Sequence, residues 1–308
     1  LTSVPGIAVG HADDPEARTG CTVVIGPFRA VVETRGLATG TRELDPLSET
    51  HLVPSCQAIL LTGGSAFGLA AADGVSGWLE ARGLGFETGE ARVPIVPAAV
   101  LYDLAVGRPD VRPDAAMGRA ACEAASEDPV PEGRVGAGCG ATVGKLGGVE
   151  HADPGGLGCW ADARVDPTVA ALAVVNAFGD VVDEEGTVAA GCHGPDGGHL
   201  DTAAALASGS VPRGWAPPGS GENTTLAIVA TDPPLGKRNL RILARQAMNG
   251  LVRRLSPAAT PFDGDLVFAV STAQAEEPAG PGELLTLGAR AEAAVSAAVL
   301  RAVHGEER

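Results

Sequence analysis

The amino-acid sequence predicts an α+β protein in which layered sheets are flanked by helices. Three observations lead there. Strand-like and helix-like segments come in blocks instead of strict alternation, which argues against a doubly wound parallel sheet. Two stretches near the C-terminus, 238–255 and 283–303, carry apolar residues at helical spacing. The chain has 308 residues, 45% hydrophobic, with 43 glycines, enough to bury a large core linked by tight turns.

Residues 19–34 read as a hairpin, two β-branched runs around Gly26-Pro27. Ala58–Thr62 is a short apolar strand. Gly63-Gly64-Ser65 then turns into a helix with Gly68, Ala72, Val75 and Leu79 on one face and Ser65 as its cap. Val93–Pro97 holds too much proline for a central strand. Alanine-rich 114–126 reads as helix, and 134–148 as a glycine-dense loop or strand pair. Val169–Val175 is a strand ending at Asn176, with 178–182 as a hairpin partner. Glycine, proline and serine make 191–221 a linker. Strand 225–231 follows it. Helix 238–255 presents Leu240, Leu243, Ala247, Leu251 and Leu255. Strand 265–272 comes next. The last helix presents Leu284, Leu287, Ala291, Val295, Ala298 and Ala302.

The net charge of −16 disfavours nucleic acid and anionic membranes as partners. No apolar run is long enough to span a bilayer and no leader-like segment opens the chain. Six scattered cysteines without a C-x-x-C pair read as reduced thiols, and the expected location is the cytoplasm. Lys145 and Lys237 are the two lysines, so a buried one would stand out.

The segment Glu222-Asn223-Thr224-Thr225-Leu226 carries the chemistry. A Pro/Gly/Ser stretch stops there and a strand begins on a threonine. Taken alone, such a pair merely opens a strand. A cut before Thr224 would instead give one residue both a nucleophilic hydroxyl and an α-amine base, with an unperturbed amine pKa of about 7.7–8.0.

Several collinear stretches weigh towards the second reading. They are Val4-Pro5-Gly6-Ile7-Ala8-Val9-Gly10-His11, Thr19-Gly20-Cys21-Thr22-Val23-Val24, Leu60 through Gly68, Val93 through Val100, Val135-Gly136-Ala137-Gly138, Thr224 through Asp232, and Phe262-Asp263-Gly264-Asp265. In this order they resemble the autoprocessing L-aminopeptidase/D-amidase/esterase family, whose relatives include β-aminopeptidases and nylon-oligomer (6-aminohexanoate) hydrolases. The resemblance implies a four-layer αββα sandwich like that of N-terminal-nucleophile hydrolases and ornithine acetyltransferases. It implies one domain, 1–308, cut once between Asn223 and Thr224 into chains 1–223 and 224–308, with 194–222 as the linker before the cut.

By the same resemblance Thr224 is the nucleophile, first in self-cleavage and then towards substrate amides. Asp263 and Asp265 match its acidic partners; an i, i+2 pair leading into a strand shares one face. Asn176 matches an asparagine that polarises the acyl carbonyl or holds the oxyanion. Lys145 matches a lysine beside the nucleophile, and Tyr102 a tyrosine that donates to the oxyanion. Two aspartates, where aminopeptidase members often carry serine and glutamate, look more like the nylon-hydrolase branch. The implied substrate is a small molecule or short peptide whose acyl part bears a free amine. No metal or organic cofactor is implied. The implied assembly is a homo-oligomer, commonly a tetramer of processed αβ units.

Competing readings are weaker. Gly136-Ala137-Gly138-Cys139-Gly140-Ala141 fits a dinucleotide fingerprint but lacks a preceding strand. Gly63-Gly64-Ser65 could cradle an anion but lacks a P-loop lysine. Cys192, His193 and His199 fit no standard zinc spacing. An acyltransferase of the ornithine acetyltransferase type, or an uncleaved binding relative, remains the functional alternative.

Overall fold

Strand Thr224–Thr231 lies in the middle of the sheet system, buried along its whole length. A computed structural model describes residues 1–162, 165–213, 215 and 223–304. On one side Thr224–Thr231 pairs antiparallel with Val169–Asn176, which pairs antiparallel with Gly156–Asp162. On the other side it pairs parallel with Leu266–Ser271. That strand joins the second half of Thr19–Thr34, whose first half pairs with Ala8–Asp14 and Cys56–Thr62. Cys56–Thr62 then pairs parallel with Ala98–Val100.

The expected hairpin at 19–34 is therefore one continuous 16-residue strand. Gly26-Pro27 marks a register shift between Ile25 and Phe28, not a turn. The physical reason is that each half has its own partners, so the strand passes from one layer to the other.

Alternation of side chains sorts the core into three seams. Leu172, Val174, Leu226, Ile228, Phe268 and Val270 meet Val24, Phe28, Ile59 and Leu61 between the two sheet layers. The opposite faces, Ala171, Ala173, Ala227, Val229 and Ala269, meet α4 (Lys237–Arg254) and α5 (Pro281–His304). Cys21, Val23, Ala58 and Leu60 meet α1 (Ala71–Glu80) and α2 (Ala115–Glu123). The result is helix, sheet, sheet, helix, as expected. A strand covered on both faces reads as an unbroken apolar run, which is why 169–175 and 225–231 were conspicuous. The apolar stripes expected for the two C-terminal helices face inward, with Leu284 half-buried at the edge.

Other details depart from expectation. Ser65 does not cap a helix: it sits at φ 54° in a 3₁₀ turn, Ser65–Ala70, that precedes α1. Asp114 does cap α2, accepting the Met117 N–H. Asp180–Val182 is not the hairpin partner of 169–176, because both edges of that strand are taken. It pairs with Val188–Ala190 and Leu255–Ser256 in a small separate sheet. The expected linker carries structure in its described part. Helix α3 (Thr202–Ser208) lies there, and Asp180 holds the Thr202 and Cys192 N–H groups. Residues 214 and 216–222 of that stretch lie outside the described residues. Among the described residues no helix is long and apolar enough to cross a membrane.

Helix α5 lies close against strand Gly156–Asp162. A Cβ at Gly158 would stand 2.2 Å from the Ala298 carbonyl oxygen. Gly158→Val should therefore lower stability by about 1–3 kcal/mol or more in urea unfolding, whereas Gly282→Ala, with open space around it, should be nearly neutral.

Candidate active site

Thr224 opens the central strand and is 3% exposed. Its hydroxyl donates to the carbonyl oxygen of Asn223 at 2.5 Å. The same oxygen accepts the backbone N–H of Gly264 at 2.9 Å. That bond extends the parallel pairing of 226–231 with 266–271 back to Asn223 and Asp263. The carbonyl before Thr224 is thus held by one backbone donor with a hydroxyl against it. The Asn223 side chain is fully buried, and both of its polar atoms lack partners among the described residues. Burying such a group without hydrogen bonds costs about 1–3 kcal/mol.

Asn176 stands directly across the ladder from Thr224. Residues opposite each other in an antiparallel pair share a face, with Cβ atoms about 4.5–5.5 Å apart. The Asn176 amide is held at both ends. Its oxygen accepts the Thr142 N–H at 3.0 Å and the Lys145 ammonium at 2.8 Å, and its nitrogen donates to the Tyr102 carbonyl at 3.0 Å. Lys145 also donates to the Asn176 carbonyl at 3.1 Å. It is 3% exposed. The turn that delivers it needs glycine: Gly144 has φ 75°, and a Cβ there would stand 2.0 Å from the Cys192 nitrogen. Tyr102 thus reaches the cluster through its backbone carbonyl. The other lysine, Lys237, donates to the carbonyls of Pro46, Ser48 and Val53, which is a structural role away from Thr224.

Asp263 and Asp265 flank Gly264, both 2% exposed. Asp263 accepts the N–H groups of Phe178 and Thr260 and the Thr260 hydroxyl. Asp265 accepts the N–H groups of Thr225, at 2.7 Å, and Ala259. The pair therefore fixes the backbone at Thr225, just after the Asn223–Thr224 bond, and at Phe178, Ala259 and Thr260 around it. Burial, reinforced by the charge of Asp263, pushes the Asp265 carboxyl up to about 7.

Sequence reasoning gave no role to Gly264, though it stands within Phe-Asp-Gly-Asp. A Cβ there would lie 2.7 Å from the Thr224 hydroxyl oxygen. Reasoning also missed Asp103, which takes the Gly64 N–H and the Thr19 hydroxyl, each at 2.7 Å. The Gly63-Gly64 turn thus cradles an internal carboxylate. Burial raises the Asp103 pKa, opposed by these bonds and by the Lys145 charge. Gly136 and Ala137, read as a weak fingerprint, donate to Asp13 and Thr22 within the fold. The thiols of Cys21, Cys56 and Cys122 are pushed up to about 12 by burial, so none of these three is a thiolate nucleophile at neutral pH.

The chain resembles known proteins along nearly its whole length. Residues 1–307 match the model of peptidase family S58. An uncharacterized aminopeptidase of Mycobacterium tuberculosis is 42% identical over 298 residues, covering 92% of this chain and 84% of that protein. A 6-aminohexanoate-oligomer endohydrolase of Paenarthrobacter ureafaciens is 34% identical over 309 residues, covering 98% and 81%. Among solved structures, the L-aminopeptidase D-Ala-esterase/amidase from Ochrobactrum anthropi, described as a variant of the Ntn hydrolase fold, superposes with TM-score 0.74. It is 20% identical and covers 99% of this chain and 85% of that one. A Burkholderia sp. β-aminopeptidase superposes with TM-score 0.71 at 22% identity, covering 98% and 85%.

The Asp265 site predicts a pH effect. Its carboxyl holds its proton up to about 7 when folded but releases it near 3.8 when unfolded. Between those values the unfolded state binds fewer protons, so this group's contribution falls as pH rises and is fully unfavourable above about 7. In a Thr224→Ala background, Asp265→Asn should therefore gain stability relative to its parent as pH rises through that window. A constant difference in urea midpoints across the window would contradict the assignment.

Proposed function

The chain belongs to peptidase family S58, hydrolases of amide bonds, and we propose that it is an autoproteolytic threonine amidohydrolase of the aminopeptidase type. The observation that supports this is the arrangement of the Thr224 hydroxyl, the Asn223 carbonyl and the Gly264 N–H. In self-cleavage the Thr224 oxygen forms a bond to the Asn223 carbonyl carbon. The Gly264 N–H stabilises the negative oxygen that develops. The C–N bond breaks, and the hydroxyl proton passes to the departing nitrogen. Water then hydrolyses the ester, leaving a carboxylate on Asn223 and restoring the hydroxyl. The products are chains 1–223 and 224–308. The Asn223 amide, without partners among the described residues, raises the energy of the uncut state and favours its release.

Amide directions alternate along a strand, and the Thr225 N–H faces Asp265. The Thr224 nitrogen therefore faces Asn176 and its Lys145 partner. Once free, this amine takes the hydroxyl proton of Thr224 and returns it to the leaving group. The Lys145 charge depresses the amine pKa and keeps it neutral enough to act as base. Asn176, cross-linked to Lys145, Thr142 and Tyr102, fixes the acyl oxygen on the same face. The substrate is a small molecule or short peptide with an amine-bearing acyl group. Amino-acid amides, short peptides and ω-aminoacyl oligomers fit, the last favoured by the two-aspartate motif and by the endohydrolase relatives. The buried free thiols suit a reducing cytoplasm. We further propose a homo-oligomer of processed units.

Thr224→Ala should leave a single band on a denaturing gel and release no product from amino-acyl p-nitroanilides, while Thr224→Ser should still split. A Thr224→Ala chain that splits at the native rate would remove the proposed nucleophile. Asn176→Ala should lower kcat by about 10²–10³-fold, the usual loss for one oxyanion-type donor; an unchanged kcat would exclude Asn176 from oxyanion stabilisation.

A further inference from the structure

A second cluster lies outside this chemistry. His193 Nε2 stands 2.6 Å from one oxygen of Asp153, and His199 Nε2 2.7 Å from the other. The three potential ligand atoms lie within 4.8 Å of one another. All three side chains keep partial access to solvent, between 22% and 39%. Asp153 comes from strand Asp153–Pro154, and the histidines face each other across a bridge in the 192–200 loop.

The donor count is unusual. The Gly197 carbonyl lies 3.3 Å from His193 Nδ1 and can only accept, so Nδ1 carries a hydrogen. Neutral His193 then turns a lone pair at Nε2 towards a carboxylate oxygen, one acceptor against another. A cation between them removes the conflict. A proton on His193, which the Asp153 carboxylate favours, would do so, with neutral His199 donating from Nε2. A divalent ion would satisfy both imidazoles and the carboxylate together, at metal–ligand distances of about 2.0–2.2 Å, once each His–Asp153 pair opens from its present hydrogen-bond separation.

The surroundings have the features that orient ligands at such sites. The Gly197 carbonyl fixes the His193 tautomer, and the Gly191 N–H donates to Asp153 at 2.9 Å. Cys192, which the sequence offered as a companion, is fully buried and directs its thiol to the His193 carbonyl. Its place is taken by Asp153, distant in sequence.

We propose that Asp153, His193 and His199 form a binding site for a divalent transition-metal ion such as Zn²⁺, with water completing the shell. The ion clamps the 192–200 loop to 151–155. That loop begins the segment that runs to Asn223, so the site anchors its upstream end. The clamp is structural and adds no step to amide hydrolysis.

The test is metal binding by the full chain after removal of metal with chelator. Calorimetric titration with Zn²⁺ should give one ion per chain, and Co²⁺ should produce a visible absorption band typical of a four-coordinate N/O site. Zn²⁺ should also raise the thermal midpoint of the wild-type chain, a readout that needs no variant. His199→Gln and Asp153→Asn should each weaken binding by roughly tenfold or more, while His51→Gln should not. Absence of Zn²⁺ binding up to ~1 mM, or undiminished affinity in both site variants, would overturn the proposal.

Discussion

The candidate site depends on one backbone pairing. Parallel alignment of Leu226 with Leu266 fixes the register of the two central strands. Extended three residues back, the same alignment sets the Gly264 N–H on the Asn223 carbonyl. A slip of one residue would turn Thr224 to the helix side and carry this donor away. The apolar seams protect against such a slip, because Leu226, Ile228, Phe268 and Val270 would all leave the inter-sheet core. Packing energy far from the site thus maintains its geometry.

Electrostatics follow from that placement. Lys145 is buried, and its ammonium is held by two oxygens of Asn176. Asp103 lies on the other sheet layer, where the Lys145 charge opposes the burial that raises its pKa. Asp263 and Asp265 sit on the strand Leu266–Ser271 side of Thr224 and bind backbone N–H groups. A positive group therefore lies on the Asn176 side of Thr224, and two acidic groups brace the turn on the other side. The separation places the lysine and the aspartates on opposite sides of Thr224, although the family resemblance alone groups them together.

Much of this was legible in the sequence. Doubly buried strands and striped helices left strong periodic signals, and the layered class followed from their blocks. The collinear motifs pointed to Thr224 and the two aspartates, and the resemblance they carry to Asn176, Lys145 and Tyr102; the fold gathers these residues around the Asn223–Thr224 bond, Tyr102 through its carbonyl. Local rules failed where long-range pairing decided the outcome. Gly26-Pro27 looks like a turn unless the separate partners of each strand half are known. Residues 178–182 look like a returning strand unless the neighbours of 169–176 are known. Gly264 acts through a backbone N–H, which no side-chain motif advertises. Asp153 meets His193 and His199 only through the fold, so spacing offered Cys192 in its place.

The position of the central strand also governs what a severed chain could do. Strands Thr224–Thr231 and Leu266–Ser271 both lie on the C-terminal side of the bond, yet each is zipped at its outer edge to a strand from the N-terminal side. Two pieces divided at Asn223 would stay interlocked without a covalent tether. Unfolding would set them adrift, and reassembly would need collision between separate molecules. A unimolecular folding problem would become a bimolecular one, so recovery after denaturation would slow with dilution and heat damage would become practically irreversible.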